Sequence, residues 1–335
     1  MTPMLYFDNN ASTFIDPRVK DKMREVLSRE QANPSSVHQL GQRVHRELLG
    51  ARDEISSFLG VKAKEIIFTS NGTEALNMLI RGIIGSECSG HIVSSDLEHP
   101  AVYGTVKLLE EKGCTATYIS PGKLGAVSSS MLQKAIRSDT KLIVLMAANN
   151  ETGIISDIAA LAKIAKEAKI PFIVDAVAIM GKEKVSIPDG VSCMCFSAHK
   201  FHGPQGAGFA YVRHKTKLFP LITGGGQEYS KRGGTENILG IVGMAEAIRV
   251  LQEDFSGTVD RMTHLRDRLE RQITQGLDGV RINSIGVHTS NTSNLSFDDI
   301  DGESLLMNLD QRGVFVSHGS ACASGSLQPS RILLN

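Results

Sequence analysis

Two residues that follow apolar segments have the types and spacing of a cofactor site. Lys200 comes shortly after a segment that reads as a strand ending at Phe196, and Asp175 closes another apolar segment. An amine partly removed from water has a lowered pKa, which favours a Schiff base with a carbonyl group. Alone, Lys200 could be a surface lysine and Asp175 a helix cap. Together they predict a cofactor site at the ends of neighbouring strands.

The turn at residues 69–74, which reads TSNGTE, adds a phosphate site. It joins a predicted strand to a predicted helix, and free backbone N–H groups at a helix start hold phosphate well. Thr73 can add its hydroxyl group, although Thr and Asn are also ordinary helix caps. Pyridoxal phosphate (PLP) uses a lysine for its aldehyde and an acid for its pyridine nitrogen. These residues therefore predict a PLP site.

Two further polar segments follow predicted strands. His99 comes after the strand predicted at residues 91–95, and its imidazole could stack on an aromatic cofactor. Asn149 follows the strand predicted at residues 141–147 and could contact the cofactor ring oxygen or the substrate. By themselves, His99 is equally a structural histidine and Asn149 part of a polar turn. Their shared placement favours the functional interpretation.

The elements that must position these residues alternate between strand and helix patterns. Helices are predicted at about 18–29, 41–59, 158–168, after Thr73 and after Pro100, and strands at 65–69, 91–95, 141–147 and 170–174. Short apolar strands alternating with helices predict a mostly parallel sheet covered on both faces, hence an α/β fold.

The pattern changes after residue 237. A long helical stretch is predicted at 238–275 with a break near 255–257, then strands at 280–282 and 294–297 and a helix at 302–309. This predicts a smaller α+β domain. We expect a large cofactor domain at residues 16–240 and a small domain made of residues 1–15 and 241–335.

Composition narrows the class of protein. Among 335 residues, Lys+Arg and Asp+Glu both count 36, so the basic excess typical of nucleic-acid or membrane-surface binding is missing. The longest apolar runs are too short for a membrane span, and the N-terminus has no signal-peptide pattern, so we expect a cytoplasmic protein. Cys193 and Cys195 form a C-x-C pair on a predicted strand. We interpret them as core residues rather than zinc ligands, and expect no metal site.

These segments resemble the cysteine desulfurases of the class V aminotransferase group, of the NifS-like and IscS-like kind. Further matching segments are residues 6–11 (YFDNNA), 33–38 (NPSSVH), 224–228 (GGGQE), 232–237 (RGGTEN) and 319–322 (GSAC). The matching segments lie between residue 6 and about residue 330 and occur in the same order as in the family. The resemblance implies the PLP-dependent transferase fold type I, a homodimer and L-cysteine as the substrate.

The resemblance also implies a role for each site residue. Lys200 would bind PLP covalently, Asp175 would pair with the pyridine nitrogen, and His99 would stack on the ring and take part in catalysis. The phosphate would be held by Gly72, Thr73, Ser197, His199 and, from the neighbouring subunit, Thr235. Asn149 would contact the cofactor or the substrate.

Cys322 lies in a run of small residues, 317–326 (SHGSACASGS), which predicts a mobile loop. An incidental exposed cysteine is one interpretation. The resemblance implies instead that Cys322 is the nucleophile that takes sulfur from cysteine as a persulfide. The persulfide would pass to a sulfur acceptor or an iron–sulfur scaffold protein. A selenocysteine lyase and an inactive relic of the family are the alternatives.

The sequence departs from the family at two places. Ala178 stands where the family usually has a glutamine that bonds the cofactor ring oxygen. The chain also ends at Asn335, before the family's carboxylate-binding arginine. From this we expect PLP binding with poor cysteine turnover, and otherwise Arg18, Arg43 or Arg232 as the residue that grips the substrate carboxylate.

Overall fold

A seven-stranded sheet dominates the computed structural model, which describes residues 4–319 and 331–334. The strand order is β2-β8-β7-β6-β5-β3-β4. Only β8 runs against its neighbours, β2 and β7; the other pairs are parallel. The strands are β2 (Ile66–Thr69), β3 (His91–Ser95), β4 (Thr115–Ile119), β5 (Thr140–Met146), β6 (Phe172–Asp175), β7 (Cys193–Ser197) and β8 (Gly208–Val212). The predicted mostly parallel sheet is confirmed.

Helices cover both faces of this sheet because its strands are apolar on both sides. The first seven helices are α1 (Pro17–Leu27), α2 (Gln39–Leu59), α3 (Gly72–Ile84), α4 (Pro100–Glu110), α5 (Ser129–Ala135), α6 (Ile158–Glu167) and α8 (Ile238–Glu253). The short segment α7 (Gln227–Ser230), between α6 and α8, is a turn in which Glu228 and Tyr229 have positive φ. Successive residues of a strand pack into two different hydrophobic cores, one on each face of the sheet. Ile66 and Phe68 pack with α1, α2, α6 and α8, whereas Ile67 packs with α3 and α4. The sheet is therefore the middle layer of three.

The remaining strands and α-helices of the described chain lie near its two ends. They are β1 (Leu5–Tyr6), α9 (Phe255–Gly276), β9 (Val280–Ile282), β10 (Leu295–Phe297), α10 (Gly302–Gln311), β11 (Val314–Phe315) and α11 (Arg331–Leu334). Strand β1 pairs in parallel with β11, and β9 pairs with β10. The predicted domain boundary at residue 240 stays a prediction; helix α8, which begins at Ile238, packs against α1 and α2.

A buried ion pair links α2 to the segment before α8. The Arg52 guanidinium donates to both carboxylate oxygens of Glu228, at 2.9 and 2.6 Å, and also to the carbonyl of Ile66. The exposed fractions of the two side chains are 4% and 1%. Glu228 accepts a further bond from the Phe68 N–H at 2.8 Å and has a φ of 47°, which side chains rarely adopt. The pair thus holds an unfavourable turn against the sheet.

Replacing Arg52 with Met should lower the free energy of unfolding by about 3–5 kcal/mol, because the Glu228 carboxylate stays buried without its cation. Denaturant unfolding measures this loss. Arg249 is the matched control: its pair with Glu246 is half exposed, so Arg249→Met should cost about 0–1 kcal/mol. A loss for Arg52→Met no larger than that of the control would contradict the assigned role.

Candidate active site

Several of the predicted site residues lie at one edge of the sheet. Strands β2, β3, β5, β6 and β7 run in the same direction, so their carboxyl ends share this edge. Asp175 ends β6, and Ser197 ends β7. Lys200 ends the 3-10 helix Ala198–Lys200 that follows β7 directly. Crevices at this edge are where open α/β sheets bind ligands.

Asp175 is a buried carboxylate, 5% exposed. Its Oδ1 accepts the Val177 N–H at 3.0 Å and the Cys195 thiol at 3.7 Å. Burial raises the pKa of Asp175, while the charges of His99 and Lys200 act in the opposite direction. A cation placed beside this carboxylate would therefore be strongly stabilised, as the protonated nitrogen of a pyridine ring would be.

Lys200 contacts the N-terminal segment. Its Nζ donates to the carbonyls of Asn10 at 2.5 Å and Ala11 at 3.0 Å. The neighbouring His199 has its Nδ1 3.3 Å from Oγ of Ser12. Burial, followed by the charges of Lys200 and Lys182, lowers the pKa of His199 to about 4. His199 is therefore neutral at physiological pH and can donate one N–H to an acceptor.

The start of α3 meets the ends of β6 and β7 closely. A Cβ placed on Gly72 would lie 2.6 Å from Cγ2 of Val177 and 3.7 Å from Cβ of Ser197, so this approach requires glycine. Asn71 caps the helix by accepting the Glu74 N–H at 2.9 Å. The first N–H groups of a helix have no partner within it. They and the Ser197 hydroxyl form a cradle suited to a phosphate.

Ser197 itself carries an unused polar atom. The residue is 2% exposed, and its Oγ is buried without a hydrogen-bond partner among the described residues. Buried hydroxyl groups are nearly always hydrogen-bonded in native proteins. A ligand oxygen at this position would satisfy the group, so the orphaned hydroxyl is direct support for an anion site.

Replacing Ser197 with Ala should weaken PLP binding about tenfold, because a hydrogen bond to a charged phosphate contributes about 1.5–3 kcal/mol. Absorbance titration of the cofactor-free protein with PLP measures the change. Ser94 is the matched control, since its Oγ is equally buried and unpartnered but lies within β3. Ser94→Ala should leave the affinity unchanged; equal effects of the two substitutions would argue against the cradle.

His99 and Asn149 lie at the same edge. His99 caps α4, its Nδ1 accepting the Ala101 N–H at 3.1 Å. Asn149 is 2% exposed, and its side chain braces its own turn: Oδ1 accepts two backbone N–H groups, and Nδ2 donates to the Leu97 carbonyl. Their contacts with a cofactor or substrate stay predictions.

Two further predicted site residues are exposed threonines. Thr73 is the second residue of α3, beside Gly72 in the cradle, whereas Thr235 lies in the loop before α8. The ion pair between Arg232 and Glu74, 2.7 Å long, fastens that loop to α3. Cys322 lies outside the described residues. Cys193 and Cys195 are fully buried free thiols on β7, which confirms the core interpretation.

The residues present fit PLP. The cradle at α3 and Ser197 suits its phosphate, Asp175 suits its ring nitrogen, and Lys200 suits its aldehyde. Bound there, the cofactor would supply an electron sink for cleavage of bonds at the substrate's α- and β-carbons.

Sequence reasoning did not assign roles to two groups of contacts. The carbonyls of Asn10 and Ala11 reach Lys200 from a distant part of the chain, and only the resemblance of residues 6–11 to the family pointed there. Lys182 donates to the Lys200 carbonyl at 2.8 Å. Its position on a loop between two strands carried no signal of this contact.

Comparison with known proteins agrees with the interpretation of this site as a PLP site. The family model described as Aminotransferase class-V matches residues 5–334. "Cysteine desulfurase IscS" of Dictyoglomus turgidum is 42% identical over 333 residues, covering 98% of this chain and 84% of that protein. "Cysteine desulfurase" of a Nostoc species is 38% identical over 333 residues, covering 98% and 83%.

Solved structures agree in fold. A NifS-like protein superposes with a TM-score of 0.90 at 37% identity, covering 94% of this chain and 88% of that one. The structure described as SspA in complex with cysteine has a TM-score of 0.87 at 32% identity, covering 98% and 93%. Fold and site thus define a PLP-dependent enzyme of fold type I.

Within that class, the chain belongs to the cysteine desulfurases of the aminotransferase class-V family. The family resemblance, the fold and the PLP cofactor predicted from the sequence are confirmed. Neither a selenocysteine lyase nor an inactive relic is favoured by these relatives. Among the helices that the structure describes, none combines the length and apolar composition needed to cross a bilayer.

Proposed function

We propose that this chain is a PLP-dependent cysteine desulfurase that converts L-cysteine to L-alanine and passes the sulfur to an acceptor. The convergence of Lys200, Asp175 and the unpartnered Ser197 hydroxyl at one sheet edge carries the proposal. The relatives named cysteine desulfurase specify the reaction within the PLP class.

Each residue would contribute one physical effect. Lys200 would hold the cofactor covalently, and its amine could act as a base at the substrate α-carbon. Asp175 would keep the ring nitrogen protonated, because its carboxylate is buried and gains a cation there. Gly72, Thr73, Ser197 and His199 would bind the phosphate, and His99 would cover the ring.

We propose Cys322 as the residue that receives sulfur. Its thiolate would attack the sulfur of the bound cysteine, forming an S–S bond while the substrate's C–S bond breaks. The electron pair of the broken bond stays with the substrate carbon, which takes up a proton and leaves as alanine. The products are L-alanine and a persulfide on Cys322, and the reaction needs no external oxidant or reductant.

The assembly and the cellular setting belong to the same proposal. We propose a homodimer in which Thr235 reaches the phosphate of the neighbouring subunit; the exposure of Thr235 supports this. The persulfide would pass to a sulfur acceptor, such as an iron–sulfur scaffold protein, in the cytoplasm. The relatives named IscS support iron–sulfur cluster assembly as the purpose.

The test is a product assay with the purified chain. Protein reconstituted with PLP is incubated with L-cysteine and dithiothreitol, which releases persulfide sulfur as sulfide. Alanine and sulfide should form in equal amounts and only when PLP is present. Formation of pyruvate instead of alanine, or turnover of selenocysteine without turnover of cysteine, would reject the proposed reaction.

A further inference from the structure

Lys182 is a buried amine close to the candidate active site. It lies on the loop between β6 and β7, is 5% exposed, and donates from Nζ to the Lys200 carbonyl at 2.8 Å. Among the residues that the structure describes, it forms no ion pair with a carboxylate. Burying an amine that has only a carbonyl partner costs free energy, so its position needs a reason.

The backbone around Lys182 is fixed from several sides. Its own N–H donates to the Ile179 carbonyl at 3.1 Å, and its carbonyl accepts the Ser290 hydroxyl at 2.8 Å. Ser290 also donates its backbone N–H to the Glu183 carboxylate at 2.9 Å. The side chain of Lys182 thus starts from a well-anchored base, which links the loop to the segment before β10.

The turn that Lys182 touches carries the cofactor-binding lysine. The His199 carbonyl accepts two bonds from Thr13, at 2.8 Å from its N–H and 2.9 Å from its hydroxyl. Lys182 supplies the equivalent restraint one residue later, at the Lys200 carbonyl. Because both carbonyls are held, the direction in which the Lys200 side chain leaves the backbone is set.

We infer that Lys182 is a positioning residue for Lys200: its amine fixes the backbone carbonyl of the cofactor-binding lysine and thereby the direction in which the Lys200 side chain points. This inference rests on the proposed function of Lys200. Lys182 need not touch the substrate or the cofactor to act in this way.

The surroundings of Lys182 disfavour its charged form. Burial, followed by the charge of Lys200, lowers the pKa of Lys182 to about 7. His199 faces both lysines and has its pKa lowered to about 4, first by burial. The Glu183 carboxylate lies on the same loop and accepts a bond from Ser290. A neutral amine still carries N–H donors, so the bond from Lys182 to the Lys200 carbonyl does not require a charge on Lys182.

Two substitutions test the bond from Lys182 to the Lys200 carbonyl. Lys182→Met removes the donor and the charge, whereas Lys182→Arg keeps a donor and is charged at every pH. Lys184→Met is the matched control, since Lys184 is exposed on the same loop. The cofactor-free proteins are labelled with trace acetic anhydride across the pH range, and acetylation of the Lys200 peptide is followed by mass spectrometry.

Capture of PLP, followed by absorbance, should slow about tenfold in Lys182→Met, recover in Lys182→Arg and keep the wild-type rate in Lys184→Met. Acetylation of Lys200 at high pH should change less than about twofold in all three variants, because a small reagent does not need the amine to point in one direction. If the arginine variant does not fold, the methionine variant alone decides.

Capture of PLP at the wild-type rate in Lys182→Met overturns the inference, as does a change in acetylation of Lys200 as large as the change in PLP capture. The labelling experiment uses protein without cofactor. It therefore still reports on the two lysines if the wild-type chain proves not to bind PLP at Lys200, which would refute the proposed function instead.

Discussion

Replacement of Lys200 with Ala should abolish covalent binding of PLP and lower cysteine turnover by about 10³-fold or more. Two roles are lost together, since the same amine would hold the cofactor and move the proton at the substrate α-carbon. The phosphate cradle and Asp175 remain, so PLP should still bind, but reversibly. Borohydride reduction followed by peptide mapping measures this directly: the wild type should retain the cofactor on the Lys200 peptide.

Lys217→Ala is the control for this experiment, because Lys217 is exposed and outside the site. It should retain both the reducible linkage and the turnover of the wild type. If borohydride still fixes PLP to the Lys200→Ala protein, another amine binds the cofactor. Lys182 would then be the first residue to map, since its Nζ reaches the Lys200 carbonyl.

The sequence predicted helices and strands well where the apolar residues follow one clear periodicity. The strands predicted at 91–95 and 280–282 match β3 and β9, and the predicted helix break near residue 255 falls between α8 and α9. Asp254 explains that break, since it ends one helix and caps the next by accepting the Gly257 N–H. Helix boundaries of this kind can be predicted because the residues that cause them are adjacent in the sequence.

Elements stabilised by distant partners were not predicted. Strand β1 has two residues and exists because it pairs with β11, more than 300 positions away along the chain. Strand β8 reverses the direction of the sheet between β2 and β7, which no local period indicates. Tertiary pairing decides such elements, so a single sequence cannot supply them.

The same distinction between local and distant signals applies to the candidate site. Residues that directly follow apolar strands, such as Asp175 and Ser197, were found because α/β topology brings strand ends together. The hydrogen bonds that these residues and Lys200 receive from other side chains were not predicted from the sequence. The Cys195 thiol reaches Asp175 only through the register of β6 against β7, and Lys182 reaches Lys200 only through the path of a loop.

Cys322→Ser should bind PLP and L-cysteine but form sulfide at least about 10²-fold more slowly than the wild type, because a hydroxyl group is a poor nucleophile toward sulfur. Three of the other cysteines are poor candidates for this role. Burial raises the pKa of Cys114, Cys193 and Cys195, which keeps these thiols protonated and unreactive.

Cys88 is the remaining cysteine and the matched control. It lies just before β3 begins, at the amino ends of the parallel strands, whereas Lys200 follows the carboxyl end of β7. A thiol there has the sheet between itself and the candidate site, so Cys88→Ser should keep full sulfide production. Mass spectrometry after one turnover should place the additional sulfur on the Cys322 peptide in both the wild type and Cys88→Ser. A persulfide found on Cys88, or normal sulfide formation by Cys322→Ser, would show that sulfur leaves the site by another route.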